Sequence, residues 1–298
     1  MSPMQPFPPR PSVDDDATGS NSPFASGHLW ITERVVGDPL RFHLTDAGFL
    51  VFGDANGLFD HDSVPIRYRA AVRAVRDGFG RDAFAAAVDD PESVTFFGVA
   101  THARRCPYDL DRLPPFLGTA VHDTDRGRYL PPDTVRRAFE QVGLPTTEPT
   151  EKEVRAAHLD PVAYPIPDSQ YYDGPAAGVF FHNKRGGGAI RWNQHVDIGT
   201  EAGLDGASQT SADDAGTHDA FDAPDQLLDA TLTDRDLDRA VRATETSGSA
   251  TVEAVVDRVL ARLARETAVL ADETVPPSES AVRSVLAERV DRHVRTTE

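Results

Sequence analysis

Lysine is nearly missing from this chain. Of 30 basic residues only Lys152 and Lys184 are lysines, and the rest are arginines. Amine chemistry is therefore confined to two positions, because arginine stays protonated and can bind but not attack. Lys184 and Arg185 open the run Lys184-Arg185-Gly186-Gly187-Gly188. Glycines there let backbone N–H groups close on an anion such as phosphate; the same run also reads as a tight hairpin with a solvated basic tip. The pair Arg104-Arg105 reads as a nucleic-acid contact or as a surface loop ahead of Pro107. Arg34 carries a fork able to hold phosphate through two bonds, or to pair with a carboxylate such as Glu33 or Asp54. Cys106 is the single cysteine. It makes no internal disulfide or cysteine-rich zinc site and reads as a structural thiol. The ten histidines show no spacing typical of zinc.

These residues must be positioned by recognisable elements. Residues 1–27, rich in Pro, Asp, Ser and Gly, read as a flexible, extended leader. Strands are expected over His28–Val36, Leu40–Thr45 and Phe49–Gly53, with turns at Gly37-Asp38-Pro39 and Asp46-Ala47-Gly48. Helical periodicity follows over Tyr68–Phe79 and Arg81–Val88. The β-branched and aromatic run Val94–Ala100 reads as a buried strand, and Phe116–Val121 as another. Pro132–Gln141 is an expected helix with proline in its first turn. Ala177–His182 and Gly188–Trp192 are two further expected strands. From Asp197 to Asp222 the composition turns to Asp, Gly, Ser, Thr and Ala, an acidic linker or insertion. Beyond it Val252, Val255, Val256, Val259, Leu260 and Leu263 form one helical stripe, and Val282, Val285, Leu286, Val290 and Val294 a second. Ser278 or Ser280 can cap the last helix.

The net charge is −18. Aspartate-rich, arginine-for-lysine composition reads as adaptation to high salt. At about 1 M salt the Debye length is about 3 Å, so the negative total does not exclude RNA or nucleotide; it makes such contacts depend on close hydrogen bonds and stacking. No run approaches the ~20 apolar residues of a membrane span, and the first residues lack the apolar core of a secretory signal. A cytoplasmic location is the default expectation.

The stretch GHLWITERVVG, residues 27–37, resembles the first motif of the covalent nucleotidyltransferases, and of RNA ligases most closely. That motif is Lys-x-Asp-Gly, whose lysine attacks the α-phosphate of ATP; Arg34 stands at the lysine position, Val36 at the aspartate, and Gly37 matches. Phe96-Phe97-Gly98-Val99-Ala100 resembles Phe-Phe-Gly-Glu-Ala, with Val99 at the ribose-binding glutamate. Phe116, in Pro115-Phe116-Leu117-Gly118, matches an aromatic that stacks on adenine. Ala177-Gly178-Val179 resembles the start of Glu-Gly-Val-Val, with Ala177 at the glutamate. Ile190 stands at a phosphate-contacting lysine, and Asn56 matches an Arg-Asn pair whose arginine is Ala55.

The resemblance covers residues 28–192. It implies an α+β chain, with a nucleotidyltransferase (ligase adenylation) domain of antiparallel sheets and flanking helices over 28–196. A small helical domain over 223–298 completes it. The implied nucleotide pocket comprises Glu33, Arg34, Gly37, Asn56, Phe97, Val99, Phe116, Ala177, Gly178 and Ile190, with phosphate contacts from Arg34, Lys184 and Arg185. No catalytic side chain of the family is intact at positions 34, 36, 99, 177 and 190. The leading expectation is a pseudoenzyme that binds nucleotide or RNA ends, or partners an active ligase paralogue. Two alternatives stay open. One is an active RNA ligase using ATP and Mg2+ with an unorthodox nucleophile, for which Lys184 is the candidate. The other is a ligand-free interaction module.

Overall fold

The computed structural model describes residues 4–13, 23–60, 63–196, 223–246, 251–271 and 277–297. The stretch 197–222, expected as a linker or insertion, lies outside them. The chain divides into two compact units, one of residues 1–64 and 71–214 and one of residues 65–70 and 215–298.

The first unit holds two antiparallel sheets. Strands β1 (His28–Glu33), β7 (Pro149–Arg155), β8 (Gly178–Asn183) and β9 (Gly188–Trp192) form one, in the order β7-β1-β8-β9. Strands β2 (Gly37–Leu44), β3 (Leu50–Gly53), β4 (Val94–Thr101), β5 (Phe116–Asp123) and β6 (Arg128–Tyr129) form the other, in the order β3-β2-β4-β5-β6. The expected hairpin at Gly37-Asp38-Pro39 is corrected. The chain leaves the first sheet at Glu33, crosses through Arg34–Val36, and enters the second at Gly37, where Gly37–Phe42 pair with Thr101–Phe96. Pro39 is tolerated inside β2 because β3 reaches only Arg41–Leu44, so no ladder donor is required at its nitrogen. Gly37 is needed for close approach: a Cβ there would meet the Ala100 carbonyl oxygen at 2.6 Å.

Helices α1 (Ile66–Gly78), α2 (Arg81–Ala87) and α3 (Pro132–Gln141) follow the expected periodicity closely. On the helix side of the second sheet Phe42 stacks on Phe96 at 5.1 Å, and Phe79, Phe84, Phe116 and Phe139 close around them. Aromatic pairs of this kind add about 0.5–1.5 kcal/mol each beyond their burial. The opposite face of the sheet carries a second apolar cluster, in which Val36, Val99, Leu117 and Ala177 join Tyr108 and Leu113.

The leader differs from expectation over the residues described. Phe7 sets its ring edge-on to Phe97 at 5.4 Å, Arg41 donates to the Gln5 carbonyl, and the Tyr129 hydroxyl donates to the Pro6 carbonyl. Ser12 then bridges Ile190 in parallel, and the Ile190 amide donates to Pro11. Proline-rich composition signals missing donors and stiff backbone; it does not report carbonyls that a distant surface can satisfy.

The second unit is helical, with α4 (Pro224–Thr231), α5 (Asp234–Thr246), α6 (Val252–Glu266), α7 (Ala268–Ala271) and α8 (Glu279–Thr297). Most of both expected stripes buries: Val255, Val256, Val259, Leu260 and Leu263 pack with Val282, Leu286 and Val290, Val285 and Val294 are partly buried against them, and Val252 at the start of α6 is exposed. Thr251 caps α6 by accepting from the Ala254 amide, and Ser278 takes the same role before α8. Arg69 holds Glu279 through both carboxylate oxygens, at 2.6 and 3.2 Å. Among the described residues no helix is long and apolar enough to cross a membrane.

Candidate functional site

Where β1 ends, the two sheets of the first unit leave a cleft of about 630 Å3, counting its open mouth. One wall comes from Trp30, Thr32, Glu33 and Arg34 with Phe180 and His182; the other from Val99, Gly118 and Thr119 with Pro132, Val135 and Arg136 of α3. Thr146, Thr147 and Pro149 complete it, and Arg10 enters from the N-terminal segment. Arg10 is buried, donates to the Thr119 hydroxyl at 2.7 Å, and lies over the Phe180 ring at 5.2 Å.

The crossover places Arg34 at the cleft. Its backbone amide donates to Gly178, its Nη1 donates to the Val35 carbonyl at 2.5 Å, and its guanidinium faces the Trp192 ring at 5.4 Å. Glu33 turns its carboxylate away to receive the Ser169 hydroxyl at 2.6 Å and the Gln170 amide at 2.8 Å. Burial pushes its carboxyl above the usual range, against the opposing effect of those bonds and of Arg112. His182 meets the Thr32 hydroxyl at 2.9 Å. Burial, reinforced by the charge of Arg10, lowers its pKa to about 3, so the ring is neutral at ordinary pH.

The expected pocket residues separate into groups. Glu33, Arg34 and Val99 line the cleft. Val36 and Ala177 lie beside Val99 in the apolar cluster, and Ile190 is fully buried on β9 opposite Phe180. Gly178 begins β8, where its carbonyl receives Arg34, and Gly37 begins β2.

The remaining expectations are corrected. Phe116 does not face the cleft: its ring packs against Phe42 and Phe139 on the helix side. Side chains alternate along a strand, and Phe116 has the parity of the helix face, as Gly98 does. A Cβ on Gly98 would strike the Phe116 ring at 2.4 Å. Phe97 is fully buried against Phe7 and Tyr129. Asn56 is exposed in a turn whose amides, with that of Gly57, bind Asp54. The amides of Arg185 and Gly187 are bound to the Asn183 side chain, so the glycine run is a closed hairpin and not an anion cradle. Lys184 pairs with Glu153 at 2.8 Å and Arg185 with Ser26, both outside the cleft lining. Arg104 is held by Asp38 at 2.5 Å. Sequence reading missed Arg10, Trp30, Thr119, Phe180 and His182. Alternation along β1 and β8 was the available signal for Trp30, Phe180 and His182; Arg10 had none.

Among the described residues no group of three or more His, Cys, Asp or Glu side chains converges as metal ligands. The side chains lining the cleft comprise three arginines, four threonines, His182, Trp30 and Phe180, set among valines and prolines, with the one carboxylate, Glu33, bound elsewhere. Such a surface can bind an anion carrying a flat ring; it offers no amine to attack one.

No protein-family model matches the chain, and no curated protein matches it. Among solved structures it is similar to RNA ligase of Naegleria gruberi with PPi, at 11% identity and a TM-score of 0.49. It is also similar to two mutants of that ligase with AMP and Mn, at 11% and 10% identity and TM-scores of 0.47 and 0.46. Each likeness covers 64% of this chain and 56% of the other, so the chain spans little more than half the length of these neighbours.

Proposed function

We propose that this chain is an RNA-ligase-like protein that binds nucleotide or RNA 5′-phosphate ends in the cleft without catalysing adenylation. One observation carries the reading: the position resembling the nucleophilic lysine is Arg34, at the cleft wall, and the positions resembling its acidic partners, Val36, Val99 and Ala177, lie together in an apolar cluster. A guanidinium does not lose its proton near neutral pH, and aliphatic neighbours hold neither metal nor ribose. Lys184 is engaged with Glu153 outside the cleft lining, which disfavours it as a substitute. Trp30 and Phe180 add apolar lining to the cleft, and the arginines there offer charge to a phosphate.

The test pairs two measurements on the full chain in molar potassium chloride. Intact-mass spectrometry after incubation with ATP and Mg2+ is expected to show no AMP adduct. Thermal unfolding with millimolar ATP, or with 5′-phosphorylated RNA, is expected to move upward relative to 5′-hydroxyl RNA. An adduct overturns the non-catalytic part, and unchanged unfolding overturns the binding part. A partnership with an active ligase paralogue belongs to the same reading and is checked by co-purification from the source cells.

A further inference from the structure

Both lysines of the chain stand at one place. Strand β7 carries a bulge: Leu29 pairs with Val154 and Ile31 with Glu151, so Trp30 of β1 faces two residues, Lys152 and Glu153. A bulge of this kind re-aims side chains. Lys152 Nζ lies over the Trp30 ring at 5.0 Å, and Glu153 accepts from the indole N–H at 3.0 Å. Lys184, in the turn after β8, meets the Glu153 carboxylate at 2.8 Å. Glu153 has a φ of +57°, the one non-glycine residue with positive φ among the described residues. Such a conformation is costly for a residue with a Cβ and persists only where its surroundings hold it. The place adjoins the cleft, since Trp30 lines the cleft and pairs with His182, which lines it too. It is also locally cationic in a chain of net charge −18. Lys152, Lys184, Arg185 and Arg155, the last paired with His28 on β1, are all exposed here. Glu153 is bonded among them, while Glu151 is engaged by the Tyr164 hydroxyl.

We propose that this rim binds the phosphodiester backbone of a single-stranded RNA whose 5′ end enters the cleft, with Lys152 and Lys184 each contacting one phosphate. The inference rests on the binding reading above and extends it from the terminal phosphate to the strand that carries it. Three features support it. Every other basic residue except histidine is an arginine, so the two ammoniums of the chain are concentrated at one mouth of the cleft. An ammonium is a compact charge on a flexible stem, suited to a backbone phosphate that shifts from one RNA to the next, where a guanidinium fork suits one fixed terminal group. The pair of Lys184 with Glu153 is half exposed on both sides, and an exposed pair contributes little to stability, so a phosphate can take the place of the carboxylate. The indole bond to Glu153 and the bulge fix Trp30, and with it the spot over which Lys152 lies.

The experiment is titration of a short 5′-phosphorylated single-stranded RNA, followed by fluorescence anisotropy, over a range of potassium chloride concentrations. ATP and polyglutamate serve as the other probes. The full chain is compared with the double variants Lys152→Gln/Lys184→Gln and Lys152→Arg/Lys184→Arg. Loss of two phosphate contacts should make the slope of log K against log salt shallower by about 1.4 in the glutamine variant. The arginine variant should keep the wild-type slope, and ATP affinity should be the same in all three chains. An unchanged slope in the glutamine variant overturns the proposal. So does an equal loss of ATP and RNA affinity, which would mean that the lysines act through the cleft. Polyglutamate held as tightly as RNA overturns it as well, by assigning the rim to an acidic peptide. In each of these cases nucleotide binding by the wild type stands. A wild-type chain that binds neither ATP nor RNA overturns the parent reading, and this one with it.

Discussion

Val36→Asp restores the acidic residue of the resembling motif and tests whether this part of the pocket is now a dry core. Val36 is fully buried, among Val99, Leu113, Leu117 and Ala177. Removing its apolar side chain forfeits about 1.5–3 kcal/mol of burial. Inserting an imperfectly paired polar group costs about 1–3 kcal/mol more. The nearby Tyr108 hydroxyl accepts from the Val36 amide at 3.2 Å, and burial holds it protonated, so it can donate to the new group and brings the total to about 3 kcal/mol. That figure applies only to the neutral acid. An unfolded aspartate ionises above about pH 3.9, and holding the buried one neutral costs about 1.36 kcal/mol for each further pH unit. Between pH 5 and pH 7 the variant should therefore lose about 2.7 kcal/mol relative to wild type. Denaturant melts at both pH values read this directly. A loss below about 1 kcal/mol, or the same loss at both pH values, refutes a dry cluster at position 36.

Three further outcomes follow from the site. His182 has a folded pKa of about 3 against about 6.5 unfolded, so its contribution is complete above pH 6.5 and is lost as pH falls toward 3. In His182→Asn the fall in unfolding free energy from pH 7 to pH 5 should be smaller than in wild type by about 1–2 kcal/mol; parallel profiles refute the assignment. Gly118→Ala puts a Cβ 2.4 Å from the Phe139 ring and should cost about 1–3 kcal/mol in denaturant melts, whereas an unchanged midpoint refutes the close approach. Arg34→Lys supplies the missing amine, yet positions 36, 99 and 177 still offer no carboxylate. Intact-mass spectrometry with ATP and Mg2+ should show no adduct, and an adduct would refute the need for those acidic partners.

Local pattern alone determined several things about this protein. The runs Val94–Ala100 and Gly188–Trp192 are strands, Pro132–Gln141 is a helix, and two valine-leucine stripes near the end bury against each other. The scarcity of lysine already limited amine chemistry to positions 152 and 184. Strand β7, by contrast, was invisible because Thr150-Glu151-Lys152-Glu153 is an exposed edge with no apolar alternation. Only the tertiary structure decided which side of the second sheet Phe116 faces, because strand parity has no absolute direction until a partner face is packed. It also decided that Gly37 opens a second sheet instead of turning back on the first. And it alone brought Arg10 to Thr119, 109 residues away, since that contact depends on where folding leaves a hydroxyl and a ring face, which no neighbouring residue in the chain records.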